Sequence, residues 1–401
     1  MNHDDRIIIE DSIANLNKFV KKNRWEGYDP YDGLNSKFTS FVSNKSKWMS
    51  IFIIQFNKKS PINFRSILGV KKGIDVKGMA LFASAYLKLY KSIGDAEFLN
   101  EARSCLDFLK NKSLNENYCG HCWSGHYFKY QSVKSALTPE IPDIISTVTC
   151  ALAFLEDHKI TGAEESLEIA KSSADFVVDT LFINNKRKSF FLYTPLNEPN
   201  TIVYNASTHA VMLLSNVNEH IKIKDDKNLE ISKKVMDYII SKQKSNGAWY
   251  YSETNGNERI QIDFHQGFIL DALYDFIRYI KPNDDKYMKA LLKGAEFYKN
   301  EQFLPDGRCK YRWPKLYPID IHNQAQGIIT FSKLSEIKPE YLEFAKTIAK
   351  WTIKNMQDES GYFYYQKHRF YMNKIPYMRW GQAWMMLALA SLVEAMENGR
   401  K

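Results

Sequence analysis

Six long apolar segments recur along the chain at a nearly constant interval. They are DVKGMALFASAYLKLY from Asp75, PDIISTVTCALAFLE from Pro142, YNASTHAVMLLSNV from Tyr204, DFHQGFILDALYDFI from Asp263, DIHNQAQGIITFSKL from Asp320 and RWGQAWMMLALASLVEAM from Arg379. Their heads fall roughly 57–68 residues apart, an interval that marks a repeat architecture. Each has helical periodicity and is apolar nearly all round, so it must pack on every side. Between them lie amphipathic, charged segments of the outward-facing kind, among them AEFLNEARSCLDFLKN, LEISKKVMDYIISKQ and YLEFAKTIAKWTIKNMQ; the N-terminal RIIIEDSIANLNKFVKKNR supplies a sixth. Gly- and aromatic-rich pieces such as SNGAWYYSE, PDGRCKYRW and ESGYFYYQKHRFY precede the apolar helices, with KSFFLYTPL and CGHCWSGHYFKY in register. Short turns or hairpins fit them.

Six inner and six outer helices predict an all-α fold, a closed (α/α)6 toroid with short β-hairpins at the cleft end. At 401 residues one large domain accommodates the pattern. The expected organisation is a single toroid over 1–401, with 1–70 as an N-terminal helical segment and loop completing the ring. In that ring the inner-helix N-termini open on one end, where their dipoles concentrate positive potential.

Composition narrows the function classes. The net charge of +9 is spread over short clusters such as KKNR and NKRK, and no nucleic-acid motif appears. A mildly basic surface suits an anionic ligand or membrane face, or simple solubility. Five cysteines are too few and too scattered for a disulfide scaffold. No signal-peptide core is seen and no apolar run is long enough to span a bilayer, so the cytoplasm is the expected location. The run WMSIFIIQF (Trp48–Phe56) is short and reads as a buried helix, or else as a basic-flanked membrane-surface contact.

On the toroid, the polar heads supply the candidate site: Asp75, Glu140, Asp143, Asn205, His209, Asp263, His265, Gln266, Asp320, His322, Asn323, Gln324, Arg379, Trp380 and Gln382. The strips ahead of them add His126, Tyr130, Trp249, Tyr251, Asp306, Arg308, Tyr311 and Tyr377. Asp263-Phe-His265 and Asp320-Ile-His322 share one spacing. Each Asp suits an N-cap as well as a catalyst. Each His falls in a first turn, where the helix dipole favours a neutral base. Two such heads one repeat apart suit a general acid/base pair, or two structural histidines. Arg379 suits a carboxylate or phosphate. Trp380, Trp249 and Tyr251 suit a sugar face, and Gln324, Asn205, Tyr130, His126 and Tyr377 complete the expected binding set. Cys119-Gly-His121-Cys122 is half of a zinc site with no second pair, so neither metal nor cofactor is expected. The loop RWEGYDPYDGLNS (Arg24–Ser36) is Gly/Pro/Asp-rich and reads as functional or as a surface turn.

The stretches RWEGYDPYDGLNS, KGMALFASAYLKLYK, VYNAS, FHQGFILDAL, DIHNQAQGI and PYMRWGQAWM resemble the helical-toroid proteins of polysaccharide and exopolysaccharide biosynthesis clusters. RWGQAWMMLALASL is similar, more loosely, to six-hairpin glycosidases and unsaturated glucuronyl hydrolases, and the architecture resembles sugar epimerases. The first resemblance implies glycan metabolism. It also implies an Asp-containing aromatic segment where this chain has WSGHYFKYQ (Trp123–Gln131), with Lys129 or Tyr130 in the carboxylate's place. The expected activity is acid/base chemistry on an anionic, uronic-acid-type glycan, by an epimerase or a glycoside hydrolase. The alternative is a non-catalytic glycan-binding scaffold. The expected partner is a glycan or glycan precursor and not nucleic acid, with peripheral membrane or glycosyltransferase association.

Overall fold

The computed structural model describes residues 3–43, 46–133, 136–185, 188–220 and 226–399. Among these, fourteen α-helices are α1 (His3–Lys22), α2 (Lys37–Ser43), α3 (Lys47–Lys59), α4 (Val76–Ile93), α5 (Ala96–Lys110), α6 (Ile144–Thr161), α7 (Glu164–Phe176), α8 (Tyr204–His220), α9 (Asp226–Ser241), α10 (His265–Tyr279), α11 (Asp285–Phe297), α12 (Ile321–Leu334), α13 (Glu340–Met356) and α14 (Trp384–Asn398). The inner ring is α4, α6, α8, α10, α12 and α14, each against the next, and α14 closes onto α4. Outside it, α5, α7, α9, α11 and α13 each back the inner helix before them, and α1 packs on α13 and α14 as the sixth. This is the (α/α)6 toroid that the repeat implies.

The inner helices are apolar all round because they are buried all round. Ala80, Leu81, Phe82, Ala83, Ala85 and Leu87 of α4 are all at most 1% exposed. Asp75 and Asp143 cap α4 and α6 by accepting the backbone N–H of Gly78 and Ser146. The next repeat's loop takes other orphan donors: the first N–H groups of α6, α8 and α12 donate to the carbonyls of Tyr193, Tyr251 and Tyr365.

A second recurring bond fixes those loops. Early in five inner helices, Thr147, Ser207, Gln266, Gln324 and Gln382 accept the backbone N–H of Trp123, Phe191, Trp249, Cys309 and Phe363, at 2.6–3.1 Å. The glutamines also donate back, Gln266 to Gly247 O and Gln324 to Gly307 O. Gly307 is left-handed, with φ +91°, and a Cβ there would stand 2.8 Å from Ile348 Cα, so the turn presses on the outer helix where only glycine fits. Short antiparallel strands follow the pinned turns, as at Ser252–Thr254 with Asn257–Arg259 and Gln366–Lys367 with Met372–Asn373.

The N-terminal segment after α1 runs across the ring's mouth and carries α2 and α3. Here one expectation fails. The run Trp48–Phe56 is not a buried helix, since Trp48 is 68% and Phe52 64% exposed. Only Ser50, Ile54 and Asn57 of α3 are buried, because α3 lies across the mouth with one face to the protein. No described helix is long and apolar enough to cross a membrane.

Replacing Gln324 by Leu leaves the Cys309 N–H and the Gly307 carbonyl buried without partners. It is expected to cost about 2–4 kcal/mol, read as a lower urea midpoint at unchanged slope.

Candidate active site at the mouth of the ring

Half-buried rings, with the buried imidazole of His322 among them, form a continuous arc at the inner-helix N-termini. His126 lies 5.5 Å from Tyr130, Tyr130 5.6 Å from Tyr31, Tyr31 5.8 Å from Trp380, and Trp380 4.6 Å from His322. The arc continues from His322 to Phe264 at 4.3 Å, from Phe264 to His265 at 4.2 Å, and from His265 to Tyr251 at 4.8 Å. Aromatic faces with interleaved imidazoles suit a sugar ring and the proton traffic around it.

The two D-x-H heads are built alike and finished differently. Asp263 accepts the backbone N–H of His265, and its Oδ1 is 2.5 Å from His265 Nδ1. Burial pushes this carboxyl up, but the charge and hydrogen bond of His265 and the bond from Gln261 outweigh it and hold it below its usual range. A carboxylate on Nδ1 sets the tautomer that leaves Nε2 as base. Asp320 instead accepts the His322 N–H, the Trp380 indole N–H at 3.1 Å and the Gln366 amide at 2.6 Å. Burial pushes the Asp320 carboxyl up against those bonds. The His322 ring lies between Phe264 and Trp384, the latter stacked at 4.5 Å. Both its nitrogens are buried without a hydrogen-bond partner among the described residues, and burial drives its pKa well down. Such orphaned groups are rare and mark function or strain. Phe264 stands between the two imidazoles, so His265 and His322 share one wall.

Behind the arc lies a buried ionic cluster. Arg379 and Trp380 belong to a π-helical turn, Met378–Ala383, that widens the entry to α14. The Arg379 guanidinium meets Asp29 at 2.5 and 2.8 Å and Asp75 at 3.4 Å. Burial lifts Asp75 to about 6, and its Oδ2 accepts no hydrogen bond among the described residues. Burial, with Arg379 nearby, lowers Lys77 to about 8. Lys58 reaches in from α3 to donate to the Tyr31 hydroxyl at 2.7 Å, and burial lowers its pKa as well.

Several candidates lie elsewhere than expected. The Trp249 indole is 2% exposed and donates to Ile239 O, so it is a core anchor and not a stacking face. Gln324 spends its amide on Cys309, Gly307 and Thr352. Tyr377 is buried under the Arg65 guanidinium, 4.9 Å from its ring. Arg379 is already ion-paired with Asp29 and Asp75, although its buried Nη2 makes no hydrogen bond among the described residues. Asn205 is buried, its backbone carbonyl 2.8 Å from His209 Nδ1, and its Oδ1 has no hydrogen-bond partner among the described residues. Glu140 and Asp306 are exposed, and Asp306 pairs with Arg308. Asn323 holds the loop carbonyls of Lys310 and Tyr311, while Tyr251, Tyr130, His126 and Trp380 are in the arc. Tyr31, Lys58, Lys77 and Phe264 were missed by the sequence reading. Tyr31 stands in the loop singled out there, and Lys77 is two residues past the Asp75 cap. Among the described residues no group of three or more His, Cys, Asp or Glu is arranged for a metal. Cys119 is at the surface against Thr180, Cys122 is buried, and His121 turns to Ser113.

No protein-family model matches the chain, and no curated protein matches it. Solved structures do. Cellobiose 2-epimerase from Bacillus thermoamylovorans is similar at TM-score 0.63 and 16% identity, over 81% of this chain and 88% of that one. A GH76 α-mannanase from Bacteroides thetaiotaomicron gives 0.64 and 10%, over 82% and 88%. An unsaturated glucuronyl hydrolase specific for heparin gives 0.60 and 12%, over 81% and 87%. These are enzymes acting on sugars, and the likeness establishes a shared toroid fold.

Burial lowers His126 to about 3 and His209 to about 4, in the same direction as His322. The unfolded chain takes up protons near pH 6.5 that the native state refuses, so stability is present above that pH and is lost as pH falls. For His209 the loss is about 3 kcal/mol at pH 4. Urea unfolding from pH 7 to 4 should show the decline, and a shallower slope in His209→Phe.

Proposed function

We propose that the chain is a carbohydrate-processing enzyme working by proton transfer at a sugar carbon. The observation that carries this reading is the Asp263–His265 dyad, set one phenyl ring from a neutral, unpartnered His322 on an aromatic-lined mouth. The oxygens of Asp263 and Asp320 are taken up by their own helix heads and neighbours, so they position His265 and Trp380 and are poorly placed for hydrolysis. In the proposed step His265 Nε2 removes the proton from a carbon next to the sugar's carbonyl or carboxylate. Lys58 and Lys77 stabilise the negative oxygen that develops, and Lys58 takes the anion-holding role first expected of Arg379.

The layout bears on the outcome. His265 and His322 share a wall, so they serve one face of the planar intermediate. Return of the proton to a neighbouring carbon on that face gives an isomer. Inversion at the same carbon requires a proton from the opposite face. The neighbours' sugar chemistry and the sequence likeness to proteins of polysaccharide clusters support a glycan or glycan precursor as substrate, within a cytoplasmic pathway shared with glycosyltransferases. Glycoside hydrolysis is the second reading. It is favoured by Asp75, whose Oδ2 faces Arg379 without a hydrogen bond and whose pKa of about 6 suits a general acid.

The test is incubation in D₂O with uronic-acid-containing oligosaccharides and with neutral disaccharides, followed by NMR and mass spectrometry. Deuterium at a ring carbon without chain cleavage is expected, and His265→Ala should slow it about 10²–10⁴-fold with the fold intact. New reducing ends, abolished by Asp75→Asn, would replace this reading with hydrolysis. Saturable sugar binding without turnover would replace it with a scaffold.

A further inference from the structure

From Gly33 to Ile74 the chain holds eight Lys or Arg and not one Asp or Glu, although acidic residues number 46 in the whole. This is the stretch that bears α2 and α3. Its outward face is apolar: Phe38 is 64%, Phe41 66%, Trp48 68% and Phe52 64% exposed. Phe52, Phe56 and Phe64 stack in a row at 6.2 and 5.5 Å. Beside them Phe38, Met49, Phe52 and Leu68 line an open apolar groove of about 240 Å³. The face continues past the segment. Asn373 donates to Ser60 O at 3.1 Å, which ties α3's end to the Gln366–Asn373 hairpin. That hairpin's tip presents Phe370, 88% exposed, beside Arg369, and it too lacks an acidic residue.

We propose that this face docks on a lipid bilayer surface containing anionic headgroups. Protruding aromatics on stretches that carry cations and no acidic residue have the chemistry of an interfacial anchor, with rings at the headgroup boundary and lysines toward negative lipid. Lys37, Lys47, Lys59, Lys71 and Lys72 supply the rim. A second copy of the chain fits this face poorly, because isologous pairing sets like charges against like. The opposite face of α3 sends Lys58 into the mouth, so docking brings the site next to the membrane. A lipid-linked sugar is then the substrate class presented to it. That last consequence rests on the carbohydrate reading, whereas the docking does not.

The experiment is co-sedimentation of the full chain with vesicles of phosphatidylglycerol and phosphatidylcholine, and with phosphatidylcholine alone. The wild type is expected to pellet with the anionic vesicles, less so at high salt, and to stay in solution with the neutral ones. The double substitution Trp48→Ser and Phe52→Ser should reduce partitioning about tenfold with an unchanged circular dichroism spectrum. A wild type that remains in the supernatant overturns the proposal, as does unchanged binding of the variant or equal binding to both vesicle types. A dimer dissolved by the same substitutions, without vesicle binding, would assign the face to self-association instead. Sugar turnover enters none of these readouts, so failure here and failure of the proposed reaction are separate results.

Discussion

The mouth of this ring depends on one repeated bond, a side chain early in an inner helix gripping the backbone of the loop that precedes it. Thr147 and Ser207 do this with a hydroxyl, and Gln266, Gln324 and Gln382 do it with an amide. Irregular backbone buried beside six helix ends would otherwise leave donors and acceptors unmet, and each one unmet costs more than an ordinary hydrogen bond gains. The amide satisfies a donor and an acceptor together. Once the loops are fixed, their tyrosine carbonyls receive the first N–H groups of the preceding inner helices, as Tyr193, Tyr251 and Tyr365 do for α6, α8 and α12. The rim of the cleft is thereby locked from repeat to repeat.

A second constraint is electrostatic. Asp29 of the N-terminal loop and Asp75 of the first inner helix meet on Arg379 at the entry to the last. Three parts of the chain, distant in sequence, are joined where the ring closes. Buried charges tolerate this only when paired, and the pairing is incomplete. Asp75 Oδ2 and Arg379 Nη2 make no hydrogen bond among the described residues, and Lys77 is lowered toward neutrality. The neutral imidazoles of His126, His209 and His322 follow from the same low-polarity surroundings. The cleft therefore holds groups poised to exchange protons near neutral pH, which is the usual physical setting of general acid/base chemistry.

The toroid was legible in the sequence because its cause is local and repeated. An inner helix buried on all sides has to be apolar on all sides, and six such segments at one interval admit few architectures. The D-x-H heads were legible for the same reason, since capping and first-turn placement are short-range matters. What the sequence left undecided was which way each polar head faces. Gln324 and Trp249 read as ligand contacts by position, yet they are bound inward. Arg379 read as a free cation, yet two carboxylates already hold it. Lys58, 262 residues before Asp320, gave no sign of standing at the same mouth.

By itself, then, the sequence determined the helical repeat, the outer and inner character of each helix and the cap chemistry at the heads, all fixed by periodicity and neighbours within a turn or two. Tertiary structure alone decided which heads face the cleft, that Phe264 separates the two histidines and puts them on one wall, and that α3 turns its aromatic face outward. Those outcomes depend on contacts between repeats and on how the N-terminal segment crosses the ring, and residue spacing carries no record of either.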